Sequence, residues 1–259
     1  MIGQAPGTIL QLMYIKKRLR FIAKTNSTFL EIGAGNGILS NLLLQMGFNG
    51  TGVDMNVSAC ENNKKLNSSF IKNKRYSVCN DDFMSMGNVK FDFVISCMVI
   101  EHIPDDLLKL FIDKCKQVLN PGGRIIYLVP SSMKYWGIED EIAGHIKRYE
   151  YSTIETLGNT NNLAIEHVAG LTYPLSNWLF SLSNRIIKKK ETDKLNLSLQ
   201  DRTIYTGNRN ILYKTKFPGI FNIVLNPVIL YPLYVLQNMN LTNPNAMVIY
   251  CELANTNVS

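Results

Sequence analysis

The residues best equipped for chemistry fall in three short strings. In Phe29-Leu30-Glu31-Ile32-Gly33-Ala34-Gly35-Asn36-Gly37, an apolar run ends on an acid and breaks into glycine at every second position. It reads as a buried strand, a tight turn and the opening of a helix. With no Cβ at 33, 35 and 37, a ligand can lie directly on the turn and on the amides that start the helix. A second apolar string, Gly50-Thr51-Gly52-Val53-Asp54, delivers a carboxylate about 20 residues later, where the acid of a nucleotide-binding βαβ unit grips ribose hydroxyls. The third string, Phe91 to Asp105, carries Glu101-His102, and His145 and Arg148 follow in Glu139 to Tyr149. Imidazole titrates near ~6.5 and is the side chain suited to take a proton from a hydroxyl at neutral pH.

Two classes of cofactor fit the glycine turn. A dinucleotide site wants Gly-x-Gly-x-x-Gly, whose third glycine lets the helix pack closely beneath a pyrophosphate. Here position 38 is Ile and the third glycine stands at 37.

The elements that position these residues alternate between strand and helix. Pro6-Gly7-Thr8 opens a helix over about Ile9 to Ile22, ahead of the first strand. A helix from Asn36 to Met46 follows the glycine turn, Val57 to Leu66 reads as the next crossover, and Tyr76 to Cys79 as the third strand. Phe91-Asp92-Phe93-Val94-Ile95-Ser96-Cys97 is apolar enough for the centre of a parallel sheet buried on both faces. Its end, Cys97 to His102, therefore opens into the crevice where open α/β sheets bind ligands. A helix from Asp105 to Leu119, a turn at Asn120-Pro121-Gly122-Gly123 and a strand from Arg124 to Val129 come next. Ser152 to Gly158 and Ala164 to Val168 read as a helix and a sixth strand, and Ala246 to Leu253 as a last strand.

With 259 residues, 46% of them hydrophobic, the chain is long enough for one α/β domain with an elaboration. Five cysteines without a Cys-x-x-Cys pair argue for reduced thiols and a cytoplasmic setting, against a disulfide framework. No stretch resembles a signal peptide or reaches the ~20 apolar residues of a membrane span, so a soluble protein is expected. The net charge of +7 suits an anionic partner, although the charges are dispersed.

The string Glu-x-Gly-x-Gly-x-Gly at Glu31 to Gly37 resembles motif I of class I S-adenosylmethionine-dependent methyltransferases. Phe91 to Asp105 resembles the F-D-x-V-x-x-x-x-V-x-E-H-x-x-D signature of small-molecule and glycan members, and Gly144-His145-Ile146-Lys147-Arg148-Tyr149 a G-H-x-R-R-Y segment found in enzymes of surface-glycan synthesis. The resemblance spans roughly residues 26 to 170. It implies a Rossmann-like, doubly wound seven-stranded sheet, mostly parallel, with an antiparallel last strand between the fifth and sixth. Residues 1–170 and 241–259 then form the core, and 171–240 an inserted substrate lid or dimer segment. Pro174, Pro218, Pro227 and Pro232 argue against long helices there.

The resemblance further implies S-adenosylmethionine as cofactor. It would be bound by Glu31, Gly33, Ala34, Gly35, Gly37, Asp54, Met55, Cys97 and Met98, with Asp82 on the adenine amino group, Phe83 stacked on the ring and Tyr14 closing over from the leading helix. Methyl transfer from a sulfonium is an in-line displacement that asks for close positioning in a dry crevice. A hydroxyl acceptor needs a base, assigned to His145, with His102 as a second polar group near the methyl. His167, in the sixth strand, is structural. Glu101, Arg148 and Tyr149 are assigned to the acceptor, a sugar or phosphorylated precursor of a surface glycan; Lys147 reads as surface charge. The alternatives are a lipid or quinone methyltransferase at a membrane surface, and a non-catalytic cofactor-binding protein. Ubiquinone-biosynthesis relatives carry Glu-x-x-Glu-His at this strand end. Here Met98 replaces the first Glu, so no catalytic metal is expected. Nucleic acid is not an expected partner, because the basic residues form no interleaved stripe.

Overall fold

The computed structural model describes residues 3–198, 202 and 217–255. Strands β1 (Thr28–Ile32), β2 (Asn49–Val53), β3 (Tyr76–Cys79), β4 (Phe91–Cys97), β5 (Leu119–Pro130), β6 (Leu163–Leu171) and β7 (Val248–Asn255) form one sheet in the order β3-β2-β1-β4-β5-β7-β6. β1 to β5 pair in parallel, and β7 runs antiparallel to both β5 and β6. This is the doubly wound Rossmann-like sheet expected, with the last strand inserted where expected. The chain reverses its winding between β1 and β4, which places a crevice beyond their C-terminal ends.

The pleat divides the core between the two faces. Phe29, Phe93, Ile95 and Ile126 face α1 (Pro6–Ile22) and α2 (Ile38–Gln45). Leu30, Ile32, Val94 and Ile125 face α5 (Asp105–Gln117) and α7 (Tyr151–Thr160). Successive residues of β1 and β4 therefore bury on opposite sides, as the period-two geometry of a central strand requires.

Two more crossover helices, α3 (Val57–Leu66) and α4 (Ser68–Lys72), lie between β2 and β3, and α6 (Ile138–Ala143) follows β5. Residues 171–240 depart from the sequence expectation. α8 (Leu175–Glu191) is an uninterrupted helix of 17 residues. Three of the prolines stand at helix starts, and Pro227 lies in a turn: Pro174 caps α8, Pro218 caps a short 3-10 turn and Pro232 occupies the first turn of α9 (Tyr231–Asn238), where no amide donor is lost. α8 packs on α6 through Ile187 and Ile142, whereas α9 contributes Tyr234 to the α1 side of the main core. The rest of the predicted insertion, at 199–201 and 203–216, lies outside the described residues. No helix among the described residues is long and apolar enough to cross a membrane.

Candidate active site

A cavity of ≈ 610 Å³ opens beyond the ends of β1, β2 and β4. Its walls include Gly33, Gly35, Asp54, Met55, Asp82, Phe83, Cys97, Met98 and His102. Gly33 and Gly35 hold φ of 70° and 48°, a left-handed backbone open to glycine at little cost. Asp54 fastens the turn from the neighbouring strand, accepting 2.8 Å hydrogen bonds from Gly35 N through Oδ2 and Asn56 N through Oδ1. Each carboxylate oxygen accepts more than one bond, so Asp54 keeps capacity for two hydroxyls of a ligand.

Asp82 lines the cavity and caps the 3-10 turn Phe83–Ser85, its Oδ1 accepting from Met84 N at 2.9 Å. Phe83 is buried edge-on against Phe111 of α5, 5.3 Å between ring centroids. One carboxylate for ribose, an acid for an exocyclic amine and an apolar slot between them fit an adenosine moiety. Met98 is held at φ 55°, unusual for a side chain without a local hydrogen-bonding group, while its amide pairs with Leu128 O. Such strain commonly gathers where a backbone must turn into a site.

At the far wall the histidines are layered. His102 lines the cavity, and its Nδ1 lies 3.2 Å from the carbonyl oxygen of Gly144. A carbonyl only accepts, so Nδ1 carries the hydrogen and the lone pair belongs to Nε2. Burial, and then the neighbouring His145, push the His102 pKa down to about 4. His145 stands behind it, edge to face at 4.8 Å. Its Nδ1 donates to Asp140 Oδ1 at 2.8 Å, and its Nε2 is 3.7 Å from Glu101 Oε1. Burial alone would raise the pKa of Asp140, but hydrogen bonds from His145 and from Arg148, the latter through Nε and the terminal amine at 2.8 and 3.0 Å, hold it below the usual carboxylate range. Glu101 is fully buried, neither of its oxygens has a hydrogen-bond partner, and burial raises its pKa to about 7.

Ligand atoms of Glu101, His102 and His145 all lie within 4.8 Å of one another, a spacing that could hold one cation. The sequence argument against a metal turned on Met98 and missed that His145 brings a third donor from another loop.

Several assignments change. Tyr14 is remote from the cavity: its hydroxyl is 2.6 Å from His167 Nε2, and its ring packs on Tyr250. α1 lies against the β6–β7 side of the sheet, so Tyr14 has a packing role. Glu31 is buried and accepts a hydrogen bond from Ser40 of α2, itself bonded by Tyr76; burial raises its pKa to about 8. It fastens α2 to the turn from behind. Gly37 belongs to the helix contact, since a Cβ there would strike Asn63 of α3, and Ala34 is buried against β2. Arg148 is engaged by Asp140 and by Ser131 O, and the Tyr149 hydroxyl donates to Ile100 O. Both brace the histidine loop and neither lines the cavity. Asp140 was missed; its one sequence signal is an acid one helical turn ahead of Gly144-His145.

A family model described as a methyltransferase domain matches residues 9–168. The chain belongs to that family. Among curated proteins it is similar to the mitochondrial ubiquinone biosynthesis O-methyltransferase of Rattus norvegicus, 28% identical over 161 residues, covering 56% of this chain and 46% of that protein. The ubiquinone biosynthesis O-methyltransferase of Coxiella burnetii is 30% identical over 118 residues, 45% of this chain and 48% of that one. The chain thus spans about half the length of the curated relatives it matches. Among solved structures, magnesium protoporphyrin IX methyltransferase from Synechocystis with bound SAH superposes with a TM-score of 0.54 at 17% identity, covering 64% of this chain and 77% of that one. A TehB-like SAM-dependent methyltransferase from Corynebacterium glutamicum gives 0.50 at 10% identity over 93% and 86%. These likenesses define the fold.

Proposed function

We propose that this chain is an S-adenosylmethionine-dependent O-methyltransferase whose acceptor is a small, largely apolar molecule carrying a hydroxyl, of phenol or quinol type. The observation that carries the reading is His102, set in the cavity wall with its tautomer fixed by Gly144 O so that Nε2 can accept a proton. The cofactor supplies an electrophilic methyl on a sulfonium. Gly33 and Gly35 give its close backbone approach, Asp54 holds ribose hydroxyls, and Asp82 with Phe83 receives the adenine. Met98, Val99 and Ile103 keep the neighbouring wall dry, which favours a displacement in which charge disappears. His102 Nε2 takes the hydroxyl proton, and the Glu101 carboxylate, within 4.8 Å, offsets the imidazolium charge. His145, fixed by Asp140, orients His102 from behind.

The apolar acceptor is favoured over a sugar phosphate because Arg148, the cation assigned to the acceptor, is engaged by Asp140, and the neighbouring surface Lys147 pairs with Asp105. The named reaction of the curated relatives, O-methylation in ubiquinone biosynthesis, is of the same class. Five free thiols support a reducing, cytoplasmic setting. In this reading α8, seated on α6 beside the histidine loop, forms the acceptor-side cover. The test is a panel of hydroxylated aromatics and nucleotide sugars with S-adenosylhomocysteine release as readout. Turnover confined to the aromatics is expected; turnover confined to nucleotide sugars restores the glycan reading, and calorimetry without cofactor binding overturns both.

A further inference from the structure

Between Phe217 and Cys251 the sequence contains no acid, no base and no histidine. Burial does not account for this. Ile220, Ile223, Val228 and Met239 are 75%, 73%, 81% and 77% exposed, and Val224, Ile229 and Tyr231 beside them are exposed too. Monomeric soluble proteins seldom leave so many large apolar side chains in water on one short segment. The segment is anchored on its other side: Gly3 N donates to Leu225 O at 2.9 Å, and Leu225, Leu230 and Tyr234 are buried in the core. Its apolar outer face is therefore presented by a fixed support.

α8 and this segment flank the same N-terminal stretch: a Cβ at Gly7 of α1 would touch Ser176 of α8, and one at Gly3 would touch Asn222. Trp178, Leu182, Arg185 and Lys189 are spaced by three or four residues and are all exposed, which puts them on one helical stripe, apolar first and basic last. Lys188 and Lys190 are exposed alongside, and the single acid of α8, Glu191, is buried. An apolar patch bordered by cations, with Asp193 as the exposed acid just beyond α8, complements an apolar interior under anionic headgroups. A second copy of the chain would set like charges near one another across the two-fold axis.

We propose that residues 220–239 and the exposed stripe of α8 dock on the surface of an anionic lipid bilayer. The docking needs no acceptor and is measured without one, so its failure and the failure of the methyl-transfer reading are separable.

The experiment is co-sedimentation of the full chain with vesicles of phosphatidylcholine alone or mixed with phosphatidylglycerol. The wild type is expected in the pellet with the mixed vesicles, less so as salt rises. The Ile223→Ser/Val228→Ser variant should lose vesicle affinity at least ~10-fold, and Lys188→Gln/Lys189→Gln/Lys190→Gln should lose the preference for anionic lipid, while both keep wild-type affinity for S-adenosylhomocysteine. A wild type that stays in the supernatant with both vesicles overturns the proposal. So does a serine variant that pellets like the wild type, or one that dissociates a dimer on light scattering and leaves sedimentation unchanged, which would make the face a contact between copies.

Discussion

The two ends of the crevice are built differently. At the β1–β2 end, the parts assigned to a cofactor lie on adjacent parallel strands and their turns, and one side chain, Asp54, ties Gly35 and Asn56 together. At the β4–β5 end, Glu101 and His102 follow one strand while Asp140, Gly144, His145 and Arg148 come from a loop after the next, joined by a chain of hydrogen bonds that ends at buried Ser131 O. The first end depends on backbone shape and one carboxylate; the second depends on a stack of buried titratable groups, so the two should fail in different ways.

The largest effect is expected at the first end. Gly35→Val places a branched side chain at φ 48° in the cavity wall and should abolish binding of S-adenosylhomocysteine. Asp54→Ala should weaken it about 10- to 100-fold, the value of lost charged hydrogen bonds of ~1.5–3 kcal/mol. Calorimetry with circular dichroism to verify folding checks both, and unchanged affinity would remove the cofactor assignment.

The other end should show the reverse split. His102→Ala is expected to lower turnover by ~10²–10⁴-fold with cofactor affinity nearly intact, and His145→Ala to lower it less, because His145 acts through His102. With the His102 pKa near about 4, the base itself is not lost as pH falls through ~6.5, and a fall in rate through about 7 reports protonation of Glu101 and should vanish in Glu101→Gln. A larger loss in the His145 variant would return the base to that residue.

A third measurement separates the ends by stability. The pKa of buried Glu101 rises from 4.5 to about 7, so the folded state binds its proton more tightly than the unfolded chain does. The resulting stabilisation is complete below pH ~4.5 and is lost as pH rises through about 7, by roughly 3 kcal/mol. Urea midpoints should fall across that window, and Glu101→Gln should flatten the fall. Glu31, raised to about 8, adds a second loss of the same sign at higher pH, removed by Glu31→Gln.

Smaller effects sharpen the boundary of the site. Tyr14→Phe should leave S-adenosylhomocysteine affinity unchanged and cost ~0.5–1.5 kcal/mol in thermal unfolding, the worth of its bond to His167. Chelation with EDTA should change the rate by less than about twofold. A rate restored only by a divalent cation would assign the Glu101, His102 and His145 atoms to metal binding.

The legibility of the two ends follows the same division. That Gly33, Gly35, Asp54, Asp82 and Phe83 share one cavity wall was readable because each sits at a fixed offset from a strand end. Sheet order and the inserted last strand followed from the resemblance and from apolar runs too continuous for an exposed sheet. The acceptor end was only half legible. Both histidines could be named, but which one faces the cavity depends on the path of residues 138–149 above β4, and that path is set by Asp140, Arg148 and the Tyr149–Ile100 bond. Tyr14 was misplaced because the side of the sheet on which α1 packs is fixed by Tyr250 and His167, contributed by β7 and β6 from the other end of the chain. Local spacing determines what a strand end can hold; contacts between residues far apart in sequence decide which side chain faces the ligand.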